Sequence, residues 1–462
     1  MEENPNTKVI SPASQSGRAG LFFKSIYFTS LLYYAVAAET ILLVFGFFFP
    51  IIAPFAIYGL PILGALLLAD IVILYSNKNG IFGRRSTMDK LSNGDDNLIQ
   101  IVLENRYLFP ARLTVIDELP FQFQARDTEF KLTVDSGINK ILEYNVHPFK
   151  RGEYSFGAVN IYVKSPIGFV QKRYRFSQDM MVPVYPSFLQ MRKYELLAIS
   201  NRLTEAGIKK IRKTASNAEF DQIKEYTSGD DYRSINWKAT ARKNKLMINQ
   251  YQDEKSQQVY SIIDMGRVMK MPFEGLSLLD YAVNASLAIS NIAMLKQDKA
   301  GIVCFSNKVH SILAAERRGK QLQKIASLLY NQKTGYLESD FEKLFVNIKA
   351  KINQRSLLLI YTNFESLSAL QRQLKYLRRL AKDHLLTVIF FENTELRTFL
   401  DKPAVTTEDV YNKAIAEKFS YEKKLIVKEL EKYGIHSILT APKKLSVNTI
   451  NKYLELKARG LI

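Results

Sequence analysis

From Ser25 to Tyr75 almost every position is apolar, and the only charged side chains are Glu39 and Asp70. A run of about 50 residues accommodates two membrane-spanning helices of about 20 residues each. Pro50 and Pro54, with Gly46 and Gly59 nearby, break the helical pattern and divide the run into Ile26–Phe49 and Ile51–Tyr75. Lys8, Arg18 and Lys24 precede it, Lys78, Arg84 and Arg85 follow it, and the connection carries no charge. The bias of basic residues toward cytoplasmic flanks then places both ends in the cytoplasm. The run is too long for a cleaved signal peptide. These features predict a two-pass transmembrane helical hairpin over residues 25–76 of the cytoplasmic (inner) membrane, behind a polar N-terminal segment, 1–24. Ionisable groups inside a bilayer are costly, but Glu39 has no second acid or histidine in its span to form a relay, which gives it an inter-helix or interfacial role. Asp70 lies about one turn from the cytoplasmic end, within reach of the head groups.

Between residues 97 and 186 the pattern shortens to alternations such as Leu98–Leu103, Arg112–Ile116, Lys131–Val134 and Asn160–Val163, with Pro110, Pro120, Pro148 and Pro166 between them. Strands of this length and spacing suit a small immunoglobulin-like β-sandwich. Lys150-Arg151-Gly152-Glu153-Tyr154 reads as a hairpin turn or a basic recognition loop. Residues 187–254 read as a helical connector, with Leu196, Leu197, Ile208 and Ile211 spaced among polar residues. From residue 255 to 462, strand-like runs alternate with amphipathic helices, the pattern of an α/β doubly wound sheet covered on both faces. The expected strands are Val259–Met265, Gly301–Phe305, Val309–Leu313, Leu357–Tyr361, Leu386–Phe391 and His436–Leu439. The expected helices are Leu276–Leu295, Leu367–Lys382, Glu408–Lys432 and Ser446–Lys457.

The run Glu225-Tyr226-Thr227-Ser228-Gly229-Asp230-Asp231-Tyr232-Arg233-Ser234-Ile235-Asn236-Trp237-Lys238-Ala239-Thr240-Ala241-Arg242 resembles the defining motif of the domain-of-unknown-function 58 proteins. Supporting similarity lies in Lys150-Arg151-Gly152, Ser165-Pro166-Ile167-Gly168, Val184-Tyr185-Pro186 and Tyr453 to Gly460. The resemblance implies a membrane anchor and a von Willebrand factor A-like domain after the motif. It also implies a partnership with a MoxR-type AAA+ ATPase in a chaperone-like or assembly role.

Within the motif, Gly229 with Asp230 and Asp231 reads as a turn into a helix, where carboxylates cap free amides. Tyr232, Ile235, Asn236 and Ala239 would then share one helical face, with Trp237, the only tryptophan, anchoring the motif against the α/β domain. Arg233, Lys238 and Arg242 present cations either to an acidic partner or to Asp230 and Asp231. The expected partner-binding residues are therefore Asp230, Asp231, Arg233, Trp237 and Arg242. A von Willebrand-type metal site uses Asp-x-Ser-x-Ser, one carboxylate and two hydroxyls around a hard divalent cation. This chain has Asp264-Met265-Gly266-Arg267-Val268 and, later, Thr362-Asn363-Phe364-Glu365, so Asp264 marks at most a degenerate Mg²⁺ site and otherwise caps a helix or pairs with Arg267.

No phosphate-binding Gly-x4-Gly-Lys loop and no Cys/His metal spacing occurs, and His147, His310, His384 and His436 fall in different segments. The lone Cys304 cannot form an internal disulfide, which fits a reducing compartment. The net charge of +19 permits contact with acidic proteins, anionic lipid or nucleic acid, but there is no Gly/Arg-rich tail or aromatic–basic RNA-binding motif. The expected function is that of a membrane-anchored, non-enzymatic protein-binding adaptor or scaffold without a cofactor. Its partners would be the bilayer and a MoxR-like ATPase, with no specific nucleic acid. The alternatives are a metal-dependent enzyme of envelope metabolism using Asp230, Asp231 and Asp264, and binding of nucleic acid or anionic surfaces driven by charge.

Overall fold

The computed structural model describes residues 23–462 except 126–127, 178, 200–218, 229, 231, 253–255, 318 and 404–405. The chain is multi-domain, an N-terminal apolar helix pair followed by several sheets, and it forms two compact units that divide between Val184 and Tyr185.

In the first unit, strand β1 (Ile26–Phe28) leads into helix α1 (Ser30–Phe48), and α2 (Ala53–Ser76) returns antiparallel to it. Pro54 lies in the first turn of α2, where its missing N–H leaves no hydrogen bond unmade. The two helices approach closely at Gly46, where an added Cβ would stand 3.2 Å from the Ala53 Cα. Three described helices are long and apolar enough to cross a membrane. For α1 and α2 only 11% of the apolar stretch is covered by protein, whereas the third, Leu278–Leu295, is 78% covered and is a core helix.

The β-strands that follow are β2 (Ile81–Ser86), β3 (Leu91–Ser92), β4 (Asn97–Asn105), β5 (Ala111–Asp117), β6 (Glu129–Val134), β7 (Asn139–Val146), β8 (Gly152–Phe156), β9 (Val159–Lys164), β10 (Val170–Phe176) and β11 (Met180–Tyr185). They form three sheets, ordered β1-β10-β9-β5-β6, β2-β4-β7 and β3-β11-β8. Alternate residues face inward, as the period of two requires: Leu113, Val115, Ile161 and Val163 meet Ile101 and Leu103 in one core. Ile99, Val146, Tyr154, Phe156 and Val182 build a second.

The unit starts well before residue 97, because β1, β2 and β3 all pair into its sheets. Arg85, expected as a membrane flank, is instead buried, its Nε 3.0 Å from Asp117 Oδ2. Asp70 does not reach outward to head groups. It is fully buried and accepts from the amides of Phe169 (3.0 Å), Val170 (3.2 Å) and Ile167 (3.3 Å) and from the Ser165 hydroxyl (2.5 Å). Thr29 Oγ1 donates to the Gly168 carbonyl of the same loop, 2.5 Å away. Lys172, on β10, reaches the carbonyls of Leu74 (3.4 Å) and Asn77 (3.1 Å) at the end of α2. Burial lowers its ammonium to about 8.

The second unit opens with helix α3 (Phe188–Ile199), which packs on the core helix. The connector is not wholly helical. Ile208 and Ile211 lie outside the described residues, and beyond them come β12 (Glu219–Glu225), the short helix α4 (Trp237–Lys243) and β13 (Met247–Gln252). The sheet then builds from β14 (Gln258–Asp264); the two-residue strands β15 (Pro272–Phe273) and β16 (Leu276–Ser277) lead to α5 (Leu278–Leu295). Next come β17 (Lys299–Phe305), β18 (Val309–Glu316), α6 (Gln321–Tyr330), α7 (Phe341–Lys351), β19 (Leu357–Tyr361), α8 (Leu367–Asp383) and β20 (Leu385–Phe391). The chain finishes with α9 (Thr394–Asp401), α10 (Thr407–Lys432), β21 (His436–Thr440) and α11 (Leu445–Ala458).

The six-stranded sheet runs β18-β17-β14-β19-β20-β21, parallel except at the β18 edge. Separate apolar clusters cover its two faces, one built on α5 and α11, the other on α7, α8 and α10. The strand positions agree with the hydrophobic runs to within one to three residues. Ser277 caps α5 through a capping box with Asp280, so that helix starts two residues later than its apolar run.

Candidate functional site

Two places in the second unit hold the residues singled out from sequence. The first is the arm formed by β12 and β13, which pair antiparallel from Glu219–Gln252 to Glu225–Met247. Between them the chain makes a turn, a 3-10 turn at Tyr232–Ser234 and then α4. Asp230 does not cap a helix. Its carboxylate accepts from the Thr227 hydroxyl (2.7 Å) and amide (3.0 Å) and from Lys224 Nζ (3.0 Å), closing the turn on itself. The Thr227 hydroxyl, then its amide and Lys224, hold the Asp230 carboxyl down at about 2.

Asn236 provides the cap of α4. Its Oδ1 accepts from the Ala239 amide at 3.0 Å, its Nδ2 donates to Asn249 Oδ1 at 2.8 Å, and its amide bonds the Met247 carbonyl at 2.9 Å. Ile235 bridges to Ile248 instead of riding on a helix. Tyr232, Ile235, Asn236 and Ala239 therefore do not share one helical face, because the helix begins only at Trp237.

Trp237 is not an anchor: it is 70% exposed, and Tyr232 is 69% exposed. Arg242 and Lys243 occupy the last turn of α4, where cations suit the helix dipole, and Lys238 and Arg242 are both exposed. Asp231 lies outside the described residues, as does the side chain of Arg233.

The second place is the C-terminal edge of the sheet, where β14 and β19 lie side by side and successive connections depart in opposite directions, the crevice position of open α/β sheets. Asp264 ends β14, fully buried. Its Oδ1 accepts from the Gly266 amide (2.8 Å) and the Ser339 hydroxyl, and its Oδ2 accepts from Thr362 Oγ1 (2.7 Å). Burial pushes the carboxyl up against the opposing pull of these donors. These partners replace the expected helix cap and the expected pairing with Arg267.

One carboxylate and two hydroxyls do converge here, but the hydroxyls come from Ser339, before α7, and Thr362, after β19, not from the positions following Asp264. Gly266 is what admits Ser339: an added Cβ would sit 2.1 Å from the Ser339 hydroxyl. Nearby, Lys423 on α10 donates to Asn363 Oδ1 (2.7 Å) and the Phe364 carbonyl (2.5 Å), and burial lowers its ammonium to about 8. The cluster offers one carboxylate and two hydroxyls, and both hydroxyls donate to that carboxylate. Among the described residues no group of three or more His, Cys, Asp or Glu side chains converges.

Sequence inspection missed Ser339 and Lys423 altogether. They lie 75 and 159 positions from Asp264 on helices or loops with no distinguishing motif. It also dismissed His310, whose Nε2 stands 2.8 Å from the Ser306 hydroxyl. Ser306 and His310 flank the β17–β18 turn, and that contact is sufficiently explained by turn closure.

Residues 222–398 match the family described as "Protein of unknown function DUF58". The uncharacterized protein YeaD of Bacillus subtilis (strain 168) is 23% identical over 205 residues, which cover 43% of this chain and 51% of that protein. The chain thus spans about half the length of that curated relative. Among solved structures, the conserved hypothetical protein BatB of Bacteroides thetaiotaomicron aligns with a TM-score of 0.29 at 11% identity, over 44% of this chain and 100% of that one. Proximal thread matrix protein 1 of the mussel byssus aligns with a TM-score of 0.26 at 9% identity, over 43% of this chain and 46% of that one.

Proposed function

We propose that this protein is a two-pass, membrane-anchored adaptor of the inner membrane whose cytoplasmic second unit, von Willebrand factor A-like in organisation, binds a protein partner through the β12–β13 arm. The observation that carries the reading is Trp237, the chain's only tryptophan, held 70% exposed on a short cationic helix inside the segment matched by the family. Exposed tryptophan beside arginine is the composition of interface hot spots, and burying it against a partner recovers apolar area that water now wets. The arm carries Lys238, Arg242 and Lys243 on this helix, while Lys245 is paired with Glu225 at 2.9 Å, and the three helix cations favour an acidic partner surface. The resemblance of the motif makes a MoxR-like AAA+ ATPase the expected partner. Binding, not catalysis, is proposed because the donors around Asp264 are satisfied among themselves and read as a structural knot.

The test is a photo-crosslinking amino acid in place of Trp237 in cells producing the intact protein. One dominant adduct, identified by mass spectrometry as a AAA+ ATPase and lost when Arg242→Glu is added, is the expected result. Because an exposed position contributes within about 0.5 kcal/mol of stability, both variants should keep the parent unfolding temperature. Equal adducts with and without Arg242→Glu, or none, would end the adaptor reading.

A further inference from the structure

The first unit has a basic sheet face fixed close to the membrane helices. Strand register sets Tyr27, Gln171, Lys164, Arg112 and Thr133 side by side across β1, β10, β9, β5 and β6. This row lies on the outer face, since the neighbouring positions Leu113, Val163 and Val170 point into the core. It contains two cations and no acid. Lys164 immediately precedes the Ser165–Val170 loop whose amides grip Asp70 on α2, so the row is pinned to the hairpin and not carried on a linker.

Its height above the bilayer follows from the helix length. The 19 residues of α1 span about 28 Å at about 1.5 Å per residue, close to the hydrocarbon thickness of about 30 Å, which puts Ser30 at the hydrocarbon boundary. Tyr27 is three residues earlier on an extended strand, about 10 Å farther out, at the level of the head groups and within about one Debye length of their charge. Tyr27 also packs edge-to-face on Tyr162, 5.4 Å between ring centroids, giving the row an aromatic side of the kind enriched at membrane interfaces.

We infer that Arg112 and Lys164, flanked by Tyr27, form a binding surface for the head groups of anionic phospholipids in the membrane that holds the hairpin. Guanidinium and ammonium groups at this height meet phosphate oxygens without crossing solvent, and the rigid sheet holds them there at little cost in ordering. The inference uses the two-span reading of the hairpin and is independent of the β12–β13 arm.

The experiment takes the full chain in neutral detergent, offers it equimolar phosphatidylglycerol and phosphatidylcholine, and counts retained lipids by native mass spectrometry. The parent protein should retain phosphatidylglycerol preferentially. Each lost cation near an anionic surface weakens attraction by about fivefold, so Arg112→Gln with Lys164→Gln should reduce the preference by roughly 25-fold. Arg112→Lys with Lys164→Arg should keep it, and the more distant pair Lys131→Gln with Arg175→Gln should change it far less. An undiminished preference in the Arg112→Gln/Lys164→Gln protein overturns the assignment. So does a short DNA duplex that binds with the same dependence on Arg112 and Lys164 while no lipid preference is seen. A protein that leaves the membrane fraction without detergent fails the two-span reading itself, an outcome separate from loss of lipid selectivity.

Discussion

At the scale of single residues, the buried edge of the α/β sheet turns on Gly266. Its φ of −70° is open to any residue, so space and not backbone conformation explains the glycine. A side chain at 266 and the Ser339 hydroxyl compete for one position, and the serine that a metal motif would supply there is exchanged for one that arrives from 73 residues later in the chain. Gly266→Ser should therefore not restore a cation site. It should displace Ser339, leave Asp264 short of a donor in a fully buried setting, and cost about 1–3 kcal/mol. Thermal unfolding of the detergent-solubilised protein, with and without millimolar Mg²⁺, checks both parts. A stability loss in Gly266→Ser that grows little when Ser339→Ala is added to the same chain is expected, because both changes remove the same hydrogen bond. Stabilisation of Gly266→Ser by Mg²⁺ would show that the crevice accepts a metal after all.

At the scale of elements, Asp70 ties a helix of the hairpin to the β-sheets through the Ser165–Val170 loop. Three amides and one hydroxyl point at a single carboxylate with no solvent access. Asp70→Ala orphans those donors at about 1–3 kcal/mol each where no water replaces the carboxylate. The expected result is a lower unfolding temperature and new proteolysis within residues 165–170, while Glu39→Ala, on the hairpin but away from this loop, leaves the loop protected. Unchanged proteolysis of Asp70→Ala would mean that the loop is held by its own strands.

The same elements show what sequence could and could not reveal. The parallel strands β14, β17, β19 and β20 are continuous apolar runs and were readable because both sheet faces are buried. Helices α6, α7 and α9 have 10, 11 and 8 residues, and segments that short give too few turns for periodicity to stand out. The arm was misread because its hairpin strands are largely polar and its helix is capped by Asn236, while the acidic pair before it suggested an earlier helix start. Asp70 looked like a head-group residue because nothing local reveals partners 95 or more positions away.

At the scale of the whole molecule, three described helices are long and apolar enough to cross a membrane, and one of them, Leu278–Leu295, is largely covered by its own fold. If Leu278–Leu295 crossed the bilayer, its flanks would lie on opposite sides, and the sheet that covers it could not form around it. The helix is instead wrapped by β14, β17, α3 and α11, with Asn284, Ser286 and Asn291 buried in protein where lipid would leave them exposed to hydrocarbon. Cysteine labelling can read this topology because the one native thiol, Cys304, is fully buried in β17 and should give little background. Ile51 is 85% exposed at the tip of the hairpin, Met271 is 44% exposed ahead of α5, and Lys296 is exposed just after it. With single substitutions to cysteine and a membrane-impermeant maleimide on intact cells, Ile51→Cys should be labelled, whereas Met271→Cys and Lys296→Cys should react only after permeabilisation. Labelling of Lys296→Cys but not Met271→Cys in intact cells would require a third span. It would also dismantle the sheet on which the Asp264 crevice depends, so this one result bears on anchor and crevice together.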